Sequence, residues 1–131
     1  MSEFESTLRA VLAAGHAARF RAAGDSMYPA IRNGDLLEIV RCEASELRRG
    51  DVVLAATGRG LTAHRIVRIG EHDGAPRITT RGDNALRCDP PIAPDDILGR
   101  VVQASAAAVR SATITRFAAV LVRRLRSKLQ R

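Results

Sequence analysis

Apolar positions change their spacing twice along this chain. Phe4, Leu8, Val11 and Leu12 recur at the three- and four-residue intervals of one helical face. Ser2 followed by Glu5 fits a capping box, and Gly15 fits a stop, so the pattern predicts a helix over Glu3–Ala14. From Ala17 the pattern becomes short apolar runs cut by Gly, Pro, Asn and Asp. These predict strands at Ala17–Ala23, Leu36–Arg41, Val52–Ala56, Leu61–Ile69, Arg77–Arg81 and Leu98–Gln103. Glu71–Gly74 reads as a hairpin loop. Cys88–Asp96, with Pro90, Pro91 and Pro94, reads as an irregular surface loop. Gly34-Asp35, Gly50-Asp51 and Gly82-Asp83 flank the strands. Glycine supplies positive φ and aspartate bonds the local backbone, so these pairs read as turns and not as an internal repeat. Helical spacing returns at Ala104, where Ile114, Phe117, Leu121, Leu125 and Leu129 make one apolar stripe. The chain thus divides into an N-terminal helix (1–16), a mainly β core (17–104) and an amphipathic C-terminal helix (105–131).

At 131 residues, one domain with one modest core is expected. The net charge of +7 changes the picture because of where it lies. Arg110, Arg116, Arg123, Arg124, Arg126, Lys128 and Arg131 fall in 105–131 with no acid among them. Without those seven, fourteen basic residues face fourteen acidic ones. A protein gripping nucleic acid with its folded face would place basic charge there, so nucleic acid is the weakest of three readings of the tail. The other two are packing on the domain or a partner protein, and peripheral contact with an anionic membrane. Cys42 and Cys88 are too few and too far apart for a disulfide framework. Acids come first in MSEFESTLRAVLAAGHAARF, with no long apolar core after them, and no apolar run approaches the ~20 residues of a span. A cytoplasmic protein without signal peptide or anchor is therefore expected.

The candidate chemistry is concentrated in a few runs. In GDSMYPAIRNGDLLEI, Gly24–Ile39, Ser26 sits on a tight connection ahead of an apolar strand. A free hydroxyl is a poor nucleophile and needs a base. His64 in LTAHRIVRI is a candidate, and its side-chain type exchanges protons near neutral pH. Asp89 or Asp83 in TRGDNALRCD could orient it. Each residue also has a plain reading: a turn serine or cap for Ser26, a core histidine for His64, a loop-holding acid for either aspartate. His16 follows a helix stop and His72 sits in a hairpin turn, so neither reads as functional. No metal set, phosphate loop or cofactor signature is visible.

Taken in order, GDSMYPAIRNGDLLEI, RRGDVVLA, LTAHRIVRI, TRGDNALRCD and DDILGRVV resemble the boxes of type I signal peptidases over Phe20 to Val102. The resemblance is closest to the histidine-base branch of the endoplasmic reticulum, archaea and some spore-formers. It implies a coiled β catalytic core and a serine endopeptidase without cofactor. Ser26 would be the nucleophile, His64 the base and Asp89 the orienting acid, with Asp83 as the alternative. Gly24, Asp25, Met27 and Pro29 would border the oxyanion site and substrate cleft. Many relatives carry a serine two residues before the nucleophile, where this chain has Gly24. The expected substrate is a protein or peptide precursor, bound extended, with small residues before the cleaved bond. The Gly-Asp-Ser-Met form is also similar to LexA-like self-cleaving repressors, which carry lysine where this chain has His64. A self-cleaving regulatory module and an inactive adaptor docking through the tail are the alternatives.

Overall fold

The structure, a computed structural model, describes residues 1–103, so the expected C-terminal helix lies outside the described residues. Helix α1 runs Glu3–Ala13, and the Ser2 hydroxyl accepts a hydrogen bond from the Glu5 N–H. At its other end the N–H groups of Gly15 and His16 turn back onto the carbonyls of Leu12 and Val11, which satisfies two of the last free acceptors. Leu8 and Leu12 are buried. Each contributes about 2 kcal/mol, which an isolated helix of this length lacks.

Six strands follow: β1 (Ala18–Arg21), β2 (Leu36–Val40), β3 (Val52–Thr57), β4 (Gly60–His72), β5 (Ala75–Arg81) and β6 (Ile97–Gln103). They form one antiparallel sheet in the order β1-β2-β6-β3-β4-β5. The expected mainly β core is therefore present. Both faces of the sheet are covered. Phe20, Leu37, Ile39, Leu54 and Leu98 pack on one face with Leu8 and Leu12 of α1 and with Met27 and Ile31 of the β1–β2 connection. Val53, Ile66, Ile78 and Leu47 make a smaller cluster. Neighbours Val53 and Leu54 serve different clusters, as the two-residue period of a strand requires.

The main departure from the expected elements is the β4–β5 hairpin. Glu71 and His72, expected in a loop, are strand residues paired with Pro76 and Ala75. The turn is only Asp73-Gly74, with φ of 51° and 76°. Two successive positive φ values give the tight turn whose twist matches its strands, so pairing continues up to it. At the other end of β4 the ladder to β5 begins with Arg65↔Arg81. Residues Gly60–His64 pair only with β3, which leaves their second edge unpaired.

Candidate active site

The connection from β1 to β2 is closed at its base, where the Ala22 N–H donates to the Asp35 carbonyl and the Gly34 N–H donates to the Ala22 carbonyl. Inside it, the Gly24 N–H donates to Asn33 Oδ1. Met27 is buried in the larger core cluster, and this anchor presents the adjacent Ser26 at the surface. The Tyr28–Pro29 peptide is cis.

His64, on β4, stands between Ser26 and Asp89. Its Nε2 lies 3.2 Å from Ser26 Oγ, and its Nδ1 lies 2.6 Å from Asp89 Oδ2. A carboxylate only accepts, so Nδ1 carries the proton. In the neutral ring Nε2 is then the acceptor, aimed at the serine hydroxyl. The His64 and Asp89 side chains are 13% and 18% exposed. Ser26 is open to solvent. This arrangement can take a proton from Ser26, hold it on the ring and return it.

Asp83 is placed elsewhere. Both its oxygens accept from Arg65, Nε to Oδ1 and Nη2 to Oδ2, each at 2.8 Å. Arg65 Nη1 also donates to the Gly50 carbonyl. The Arg65 hydrogen bonds hold the Asp83 carboxyl below the usual carboxylate range against the opposing pull of burial. The same bonds push the Arg65 guanidinium up. The boxes put His64 and Arg65 side by side, but successive strand residues point to opposite faces. One faces Ser26 and the other holds the loop.

Hydrogen bonds tie that loop to the serine and its two neighbours. The Asn84 N–H donates to the Ser26 carbonyl at 2.9 Å. Asn84 Nδ2 donates to the Asp25 carbonyl, and the Asp83 N–H meets Met27 Sδ at 3.3 Å.

A cleft of about 620 Å³ opens beside the three side chains. Phe20, Met27, Ile31, Leu37 and Leu54 give it an apolar floor, and Leu61, Thr62 and Ala63 of the unpaired β4 edge form one wall. Gly24 and Met27 border it. Asp25 and Pro29 do not. Both are exposed, and the Asp25 carbonyl is taken up by Asn84 and by the Tyr28 N–H. Gly24 has φ of 88°, a conformation in which a serine at that position would be strained. His16 and His72 are exposed and away from the site, His72 beside Asp73.

Thr80 was missed by sequence reasoning. It is the one polar residue in the buried class among the described residues. Its Oγ1 donates to Asp89 Oδ2 at 2.8 Å, and its carbonyl accepts from the Asp89 N–H. The signal was available: in β5, Ile78 and Thr80 share a face, so a threonine beside a core isoleucine needs a buried acceptor.

A serine, a histidine and a carboxylate in line beside an apolar cleft on a mainly β core are parts that a hydrolase could use. Residues 3–102 match the Peptidase S24-like family, and the chain belongs to it. That membership puts the protein in the peptidase class. Neither the curated proteins nor the solved structures contain a match.

Proposed function

We propose that the protein is a serine endopeptidase of the histidine-base type that processes a protein or peptide precursor. The observation that carries this reading is the Ser26–His64–Asp89 chain of contacts, at 3.2 and 2.6 Å. Ser26 Oγ attacks the carbonyl carbon of the scissile peptide while His64 Nε2 takes the hydroxyl proton. The C–N bond then breaks, and His64 gives that proton to the departing amine. Water attacks the resulting ester, passing a proton to His64. The acyl group leaves as the acid, and Ser26 regains its hydrogen. Asp89 keeps the ring in the required tautomer and balances the imidazolium charge. The Ser26 N–H, which donates to no other described residue, serves as a donor to the developing oxyanion.

The substrate binds extended along the unpaired edge of Gly60–His64. Main-chain bonds to that edge supply affinity, and the apolar floor reads alternate side chains. The test is labelling with a fluorophosphonate, which reacts with an activated serine, together with cleavage profiling on a library of ten-residue peptides. Labelling and cleavage in wild type, both absent in Ser26→Ala, support the reading; cleavage surviving in Ser26→Ala refutes it. Family membership favours a second reading, self-cleavage. It is separated by incubating the purified chain alone and following its intact mass, since cleavage in cis is independent of protein concentration.

A further inference from the structure

We infer that Thr80 is a positioning residue for this chemistry: its buried hydroxyl fixes which oxygen of Asp89 faces His64. The inference rests on the serine-peptidase reading.

Asp89 comes from a loop, and a loop carboxylate is free to rotate unless it is held. Two contacts to Thr80 hold this one. The Asp89 N–H donates to the Thr80 carbonyl at 2.8 Å, which docks the backbone along β5. The Thr80 hydroxyl donates to Oδ2 at 2.8 Å, which sets the plane of the carboxylate. Oδ2 is the same atom that accepts from His64 Nδ1. One oxygen therefore receives two donors, and their directions together fix the torsion about the Asp89 side chain. With the hydroxyl removed, the carboxylate loses its second point of attachment and is free to turn Oδ1 toward the ring.

Thr80 is itself enclosed. It is 2% exposed and lies directly across the ladder from Ile66, which is on the strand that carries His64 two residues earlier. The base and the holder of its acid are thus built on paired strands, and the acid between them takes its geometry from both. The hydroxyl touches no substrate in this arrangement, so its effect passes through Asp89 and His64 to the proton transfer.

The experiment compares wild type with Thr80→Val, which keeps the shape and deletes the donor, and Thr80→Ser, which keeps the donor. Cleavage of one fluorogenic peptide chosen from the library gives kcat and KM. The proton between His64 Nδ1 and Asp89 Oδ2 is read by its far-downfield NMR resonance. Thr80→Val should lower kcat on the order of 10²-fold, the loss that misplacement of a reacting group causes, with KM within about twofold. The resonance should move upfield or broaden, and Thr80→Ser should restore both readouts. Wild-type kcat in folded Thr80→Val, an unchanged resonance, or a Thr80→Ser as slow as Thr80→Val would each overturn the inference. If Thr80→Val does not fold, Thr80→Ala takes its place with the same expectations. If wild type cleaves no peptide at all, the peptidase reading fails, while the resonance alone still decides whether Thr80 positions the pair.

Discussion

A β-carbon on Gly82 would stand 2.6 Å from the carbonyl oxygen of Ser26 and 3.2 Å from Nε2 of His64. The backbone at Gly82 therefore packs directly against Ser26, with no room for any side chain. Since the obstructing atom is main-chain oxygen, relief requires the serine segment itself to move. Gly82→Ala should cost about 1–3 kcal/mol as an overpacking change. Peptide cleavage should fall far more steeply than stability, on the order of 10²-fold, because Ser26 Oγ shifts relative to Nε2. Thermal melts and kcat on the same preparation check this; a fully active Gly82→Ala would show that the approach is looser than stated.

Ser26→Ala removes the hydroxyl and little else, because Ser26 is exposed and its backbone bond to Asn84 does not need the side chain. The melting temperature should stay within about 2 °C of wild type, while cleavage should drop by several orders of magnitude.

Asp89→Asn should separate charge from shape. Oδ2 faces both His64 Nδ1 and the Thr80 hydroxyl, so an amide nitrogen in its place would donate to Nδ1, with the Thr80 hydroxyl turned to accept. The ring would be forced to protonate at Nε2, where the serine hydroxyl must be accepted. We expect a loss of about 10³- to 10⁴-fold in kcat with nearly unchanged stability. Measuring kcat and melting temperature together is decisive. An active Asp89→Asn would place the orienting acid elsewhere.

Asp83→Asn should act on stability. Arg65 depresses the carboxyl of Asp83 in the folded state, so ionised Asp83 stabilises the fold above the unfolded-state value near 3.9. That contribution is lost as pH falls from there through the depressed folded value. The Arg65 and Asp83 side chains are 34% and 21% exposed, so solvent screening limits the pair to about 1 kcal/mol. The variant should melt about 4 °C below wild type at pH 6 to 7, and the gap should close as pH drops below 4. Melts across that range check the sign; a gap that widens in acid would contradict it.

The three Gly-Asp pairs show what the sequence could and could not reveal. All three are turns, and in two of them the glycine and the aspartate close the turn as expected. Asp35 Oδ2 accepts from the Arg32 N–H and Asp51 Oδ2 from the Arg48 N–H, each closing an Arg-x-Gly-Asp turn around a positive-φ glycine. Local chemistry decides such turns, so they are legible. At Gly82-Asp83 the turn is closed by the Ala85 N–H on the Gly82 carbonyl, while the glycine makes room for Ser26 and the aspartate reaches Arg65, eighteen positions earlier. Nothing local distinguishes that pair from the others. For the same reason Asp83 and Asp89 stayed open as alternatives, since only the sheet register separates the acid facing Arg65 from the acid facing His64. The strands were legible from their apolar runs. The polar ends of the β4–β5 hairpin were not, because Glu71 and His72 look like loop residues and are held by pairing alone.

The reach of these contacts along the chain has a consequence for when the protein can act. Ser26 and His64 are 38 positions apart, His64 and Asp89 another 25, and Asn84 clasps Asp25 across 59. No fragment, hairpin or half-closed sheet contains the working set. Long-range pairings of this kind form only after the intervening loops have been closed against their entropy. A copy that is still being synthesised, or that has misfolded, holds Ser26 without His64 beside it. On the proposed mechanism, folding itself would serve as the safety catch.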